Sequence, residues 1–421
     1  MDFFMDPRYY YHYEVIQLDK LYEYRSWVRE DLRRCVDFWL KYGMDKVHGG
    51  IYTCLDTEGK VYNTDKSVWM QGRCAWTFSY LCHVYGPQPQ WLEAAKSCLD
   101  FLEKYCIDRQ AQNRMYYVVS EDGKPIVQRN LRFSEGFYAI ANAEYYGITG
   151  DKECLARAKR AYELVWKLNN RLIPDPVGCH NEGASAARPM HALADPMIYL
   201  NVSSILRRVD PENEALYRER MDICCREILE YHRKKELHCT LENTGIHGEY
   251  LREISQGRIV NPGHDCECSW FMMQWANAKG DQQLHEEAEG ILLDAIERGW
   301  DKEFGGIIFL LDSENRPRET TDFDVKRWWP QTEMLIAAAM AYRDTRKEEY
   351  LTWFETCLAY VQRYFSRPDG EWNNILRRDN HFTEPMAKGT TTKGPFHVPR
   401  MLIMVDELLT DVIGDQIAWK S

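Results

Sequence analysis

Asp45-Lys46-Val47-His48-Gly49-Gly50-Ile51 returns far along the chain as Asp301-Lys302-Glu303-Phe304-Gly305-Gly306-Ile307. The echo continues outward. Leu55-Asp56 is matched by Leu311-Asp312, and Lys66-x-x-Trp69-x-Gln71-x-Arg73 by Lys326-x-x-Trp329-x-Gln331-x-Glu333. Such self-similarity marks an architecture that reuses one supersecondary unit. Each copy reads as a short Gly-flanked β-like piece leading into a helix. Equivalent positions on the two helices carry opposite charge, Arg73 and Glu333.

Helical periodicity dominates the remainder. Tyr217, Met221, Cys224, Ile228 and Tyr231 form one apolar stripe; Phe354, Leu358, Val361 and Phe365 form another. Such stripes predict about twelve helices, at 26–42, 67–83, 91–105, 134–148, 153–168, 196–208, 214–232, 267–279, 283–298, 331–343, 349–365 and 398–413. Short β-like pieces such as 115–119 lie on the connections. No Pro/Ser/Gly-rich linker interrupts the chain, so one domain is expected over 1–421. Twelve helices in helix–hairpin units predict an all-α fold, a closed (α/α)6 barrel of paired inner and outer helices. An open solenoid would need more regular repeats and polar capping units.

The 421 residues carry 65 Asp+Glu against 53 Lys+Arg, a net charge of −12, which argues against a nucleic-acid partner. Met1 to Tyr13 has no apolar core of signal-peptide type. No window reaches the roughly 18 apolar residues of a membrane helix, so no membrane partner is expected. The 14 cysteines lack zinc-site spacing and read as buried thiols in a reducing cytoplasm. The 14 Trp and 26 Tyr suit sugar recognition, and equally suit core packing.

Two constellations could carry chemistry. In Asn261-Pro262-Gly263-His264-Asp265-Cys266-Glu267, His264 and Glu267 share one side of a helix start. The positive helix end favours a neutral imidazole, fit for a general base, and Glu267 would orient the ring or bind a hydroxyl. A capping histidine is the plain alternative. In Phe396-His397-Val398-Pro399-Arg400, His397 also stands at a helix start. Two such histidines at one mouth of a ring describe a two-base proton-transfer site. Metal binding by His264, Cys266, Glu267 and Cys268 is disfavoured, because thiols two residues apart diverge on a helix. Glycoside hydrolysis by two of Glu135, Glu267, Asp324 and Glu333 stays open as an alternative.

These residues, with His48-Gly49-Gly50, Phe133-Ser134-Glu135 and Trp328-Trp329-Pro330, resemble the N-acylglucosamine 2-epimerase family over about 27–409. That family also includes renin-binding protein and, more distantly, cellobiose 2-epimerases and mannose isomerases. The resemblance implies the (α/α)6 barrel and an acid/base pair at His264 and His397. It also implies an essential arginine and glutamate at Arg73 and Glu333, and a substrate contact at Glu267. It further implies no required cofactor, no metal, an ATP response of the allosteric-effector kind, and a homodimer. The expected reaction is an isomerase's: interconversion of N-acetyl-D-glucosamine and N-acetyl-D-mannosamine through C2 deprotonation. The runner-up is a 2-epimerase or aldose–ketose isomerase acting on mannose, glucose or cellobiose. Arg73 would hold the enolate oxygen. Glu135 and Gln71 complete the expected substrate-binding set; Trp69, Trp329 and Trp372 are candidate walls or core filler. Pro189-Met190-His191 to Pro196-Met197 is longer than the N-acyl pattern, and its His191 is a further substrate candidate.

Overall fold

The computed structural model describes residues 7–129, 131–177, 189–317, 324–383 and 385–418. Twelve helices run through them: α1 Pro7–Phe38, α2 Val68–Tyr85, α3 Pro89–Tyr105, α4 Phe133–Thr149, α5 Lys152–Asn169, α6 Ala194–Val209, α7 Glu214–Glu227, α8 Pro262–Lys279, α9 Gln282–Gly299, α10 Trp328–Thr345, α11 Glu348–Tyr364 and α12 His397–Ala418. The even-numbered helices form an inner ring, each packed on the next, and α12 meets α2 to close it. The odd-numbered helices form the outer ring, α1 over α12, α3 over α2, and so on to α11 over α10. This is the (α/α)6 barrel.

Composition explains the two layers. Every residue of α10 from Trp328 to Tyr342 is buried, as an inner helix with neighbours on all sides requires. The outer α3 buries only the stripe Ala94, Ala95, Cys98, Leu99, Phe101 and Leu102. Small residues let inner helices approach closely. A Cβ added at Gly72 on α2 would lie 2.8 Å from the Phe137 carbonyl carbon on α4.

The repeated motif is a structural clasp. The Gln71 side-chain amide accepts from the Ile51 N–H and donates to the Ile51 carbonyl, both at 2.8 Å; Gln331 does the same to Ile307, again at 2.8 Å. Lys66 Nζ meets Asp45 at 2.6 Å and Lys326 Nζ meets Asp301 at 3.3 Å. Gly50 and Gly306 adopt φ of 76° and 80°, which a side chain would strain. The expectation that Gln71 touches substrate is therefore corrected: both functions of its amide are used on Ile51.

Two helix starts differ from expectation. α1 begins at Pro7 rather than 26, because an outer helix needs only a thin apolar stripe among polar residues. α8 begins at Pro262 rather than 267, because Asn261 caps it by accepting the His264 N–H at 3.3 Å, with Pro262 in the first turn. Short antiparallel pairs sit on the connections, among them Lys66–Ser67 with Val118–Val119, and Met190–Ala192 with Asn243–Gly245. Every cysteine among the described residues is a buried free thiol. No described helix is long and apolar enough to cross a membrane.

Candidate active site

A cavity of about 290 Å³ opens where the inner helices begin. The first two turns of all six contribute: Trp69 and Arg73 from α2, Phe133 and Phe137 from α4, Met197 and Ile198 from α6, His264 and Glu267 from α8, Trp328 and Trp329 from α10, and His397 and Arg400 from α12. Six helix N-termini facing one space each favour an oxygen that gains negative charge there.

Each histidine is held by a carboxylate at Nδ1, leaving Nε2 as the nitrogen available to the cavity. His264 Nδ1–H donates to Glu242 Oε1 at 2.7 Å. His397 Nδ1–H donates to Glu333 Oε1 at 2.7 Å. The two rings nevertheless sit in different fields. Burial opposes charge on His264, but Glu242, with help from Glu267 and Asp265, outweighs it and pushes the imidazole up to about 9. Burial and the Arg73 and Arg400 cations hold His397 well below its ordinary value. The neutral His264 expected from its helix position is thus corrected, because the nearby Glu242 charge exceeds the dipole's effect. His397 is the unprotonated member. The Trp329 indole touches both, with ring centroids 4.9 Å from His264 and 5.7 Å from His397.

Arg400 organises the acidic groups. Its Nη2 donates to Glu267 Oε1 at 2.6 Å and lies 2.7 Å from Glu333 Oε2, which also accepts from Trp270 Nε1 at 2.9 Å. Glu267, Glu333 and His397 bring possible metal-ligand atoms within 4.8 Å of one another, but the Arg400 guanidinium already bridges the two carboxylates. The same bridge disfavours a hydrolase pair, since hydrolysis needs one of the two acids protonated. Arg73 is different. Its guanidinium lies 4.5, 4.2 and 4.5 Å from the rings of Trp69, Phe137 and Phe396, and its buried Nε has no hydrogen-bond partner. Burial pulls its pKa down to about 9, leaving a cation at neutral pH that faces the cavity with no carboxylate among the described residues in ion-pair contact.

The structure therefore brings together His264, His397, Arg73, Glu267, Trp69 and Trp329 on one cavity, with Glu333 directly behind His397. It places five other candidates elsewhere. Gln71 clasps Ile51, as above. Trp372 is fully buried and donates its indole N–H to Asp31 at 2.6 Å, under α1. Glu135 accepts from Arg114 Nε at 2.7 Å and from the Met115 N–H at 2.8 Å, beside a separate cavity shared with Glu103 and Arg157. His191 pairs with His232 at 3.1 Å on the strand Met190–Ala192 and does not line this cavity. Asp324 is exposed. Two participants were missed. Arg400 lies three residues after His397, the helical spacing that signals a shared face. Glu242 comes from a loop with no motif, and no spacing in the sequence points to it.

The model of a family described as N-acylglucosamine 2-epimerase (GlcNAc 2-epimerase) matches residues 50–397, a span containing both histidines. The human protein named N-acylglucosamine 2-epimerase is 34% identical over 398 residues, 93% of this chain and 91% of that one. The Ruminococcus albus cellobiose 2-epimerase is 24% identical over 401 residues, 90% of this chain and 97% of that one. Among solved structures, cellobiose 2-epimerase from Bacillus thermoamylovorans superimposes with a TM-score of 0.80 at 22% identity, covering 91% and 99% of the two chains.

Proposed function

The chain belongs to the N-acylglucosamine 2-epimerase family, and from that premise we propose that it interconverts N-acetyl-D-glucosamine and N-acetyl-D-mannosamine by exchanging the C2 proton between two faces. The observation that carries this reading is one cavity holding two histidines, each oriented by its own carboxylate, beside a desolvated arginine without an ion pair. The open-chain sugar presents a C1 carbonyl. Neutral His397 takes the C2 proton, and the C–H electron pair moves into a C1–C2 double bond as the C1 oxygen becomes anionic. Arg73 stabilises that oxygen. His264, charged in the resting chain, returns a proton to C2 from the opposite face and the carbonyl re-forms. The reverse reaction runs through the same states backwards. The two nitrogens thereby exchange roles.

An apolar wall formed by Ile140, Met197, Ile198 and Val202 supports an N-acetyl methyl group as the feature recognised. His191, which favoured the mannose, glucose or cellobiose alternative, is turned to His232 and adds no residue-level support for it. Glu267 is read as a hydroxyl contact, Trp69 and Trp329 as walls, and Glu333 as the residue that positions His397. The continuous core supports a single domain. Buried free thiols support a cytoplasmic setting. Homodimerisation and an ATP response rest on the family resemblance, and are checked by sizing and by rates with and without ATP. The deciding experiment is proton NMR of N-acetyl-D-mannosamine with the protein in D2O. Formation of N-acetyl-D-glucosamine deuterated at C2, abolished by His264→Asn and by His397→Asn, is the expected result. Turnover of cellobiose or mannose alone would overturn the substrate, and activity in either variant would overturn the two-histidine mechanism.

A further inference from the structure

Glu242 has no counterpart among the residues the sequence singled out, yet its placement is tightly determined. Its N–H donates to the Ile259 carbonyl at 2.9 Å, and its carbonyl accepts from Leu193 N–H at 2.9 Å. The preceding Leu241 is fully buried and bridges to Val260, and the following Asn243–Gly245 pairs with Met190–Ala192. A loop fixed on both sides thus aims one carboxylate oxygen at His264 Nδ1, 2.7 Å away. The other charged or titratable groups around His264 have separate engagements. Glu267 is bound by Arg400, and Asp265 is held well above the carboxylate range by burial, next to Glu242 and partly offset by Arg233. Across the cavity neutral His397 keeps its single proton on Nδ1, donated to Glu333.

We propose that Glu242 is the positioning residue of the proton donor: it fixes the His264 ring with Nε2 toward C2 and keeps the returning proton on that ring in the resting protein. The inference rests on the two-histidine reading above. On this view the active form carries one Nε2 proton across the pair, and Glu242 sets the alkaline limit of the active range. His397 sets the acid limit. Because both epimers need one Nε2 proton on the pair, and their equilibrium is independent of the protein, that limit is the same in both directions.

The test is Glu242→Gln in the full chain, which keeps an acceptor for Nδ1–H but removes the charge. Rates are measured in both directions by proton NMR from pH 6 to pH 9, with His264→Asn alongside. His264 stands at about 9 in the parent, and without the carboxylate burial draws it down to or below the ordinary imidazole value of about 6.5, so kcat/KM falls at least about thirtyfold at pH 8 and by a much smaller factor at pH 6. The alkaline midpoint moves down equally for both epimers. An equal loss at pH 6 and pH 8 would make Glu242 merely structural, and an unshifted midpoint would remove it from the mechanism; either result overturns the proposal. Retained turnover in His264→Asn would instead overturn the two-histidine reading itself.

Discussion

Replacing Glu333 by Gln probes the transition state without entering the cavity. In the resting chain Glu333 faces a neutral His397, so it contributes little to charge balance there. Once His397 has taken the C2 proton, an imidazolium stands against the carboxylate, with Nδ1 2.7 Å from Oε1. Charge centres about 4 Å apart interact by about 4 kcal/mol at an effective dielectric near 20. Arg400, 2.7 Å from the other oxygen, already draws on that charge, so we assign roughly half, about 2 kcal/mol, to His397. Gln retains one neutral acceptor, for Nδ1–H, and turns its NH2 toward the Trp270 and Arg400 donors, while Arg400 keeps Glu267. The expected outcome is a kcat lowered roughly thirtyfold, with KM changed less than about twofold. Initial rates by NMR, at substrate levels spanning KM, measure both; a thermal melt checks that the fold persists. A kcat within threefold of the parent, or an effect confined to KM, would refute the argument that Glu333 acts on the charge forming at His397.

Arg73→Ala is expected to lower kcat by roughly 10²–10³ while KM changes far less, because its contact strengthens as the C1 oxygen gains charge; steady-state rates showing a change in KM alone would reassign it to anchoring. Gly72→Ala forces a Cβ to within 2.8 Å of the Phe137 carbonyl carbon and should destabilise by about 1–3 kcal/mol, read as a lowered melting temperature; an unchanged melt would contradict the close α2–α4 contact. His285 lies between Asp344 at 3.0 Å and Glu289 at 2.9 Å. The Asp344 bond, against burial and with Glu289, raises its pKa. Its stabilisation is therefore full below about pH 6.5 and is lost as pH rises through the folded value. The melting difference between parent and His285→Gln should shrink from pH 6 to pH 9, and a constant difference would show that the ring acts by packing alone.

Much of this was legible because it is periodic or local. Apolar stripes located the helices, and the Asp45 and Asp301 repeats located the clasps. The same repeat misled at Gln71, which like Gln331 clasps the frame, whereas Arg73 and Glu333 differ between copies and stand on the cavity and directly behind it, beside the repeated Trp69 and Trp329. Trp372 and Glu135 were indistinguishable from site residues by type; only burial beneath α1 and pairing with Arg114 set them apart. Glu242 was unreadable because its contact with His264 is made by a loop fold. The charge of His264 followed from that contact, so it was misread as well.

The ring closes where α12 meets α2 under the cover of α1, and His397 is the first residue of α12. A growing or refolding chain can therefore build eleven helices, with Arg73 and His264 among them, and still lack His397, one half of the proposed proton relay. The contacts that close the ring join the most distant parts of the chain, and contacts of such sequence separation are the slowest to be found. Regain of epimerisation should thus trail the return of helical signal, so that turnover reports the topological completion of the barrel rather than its helix content.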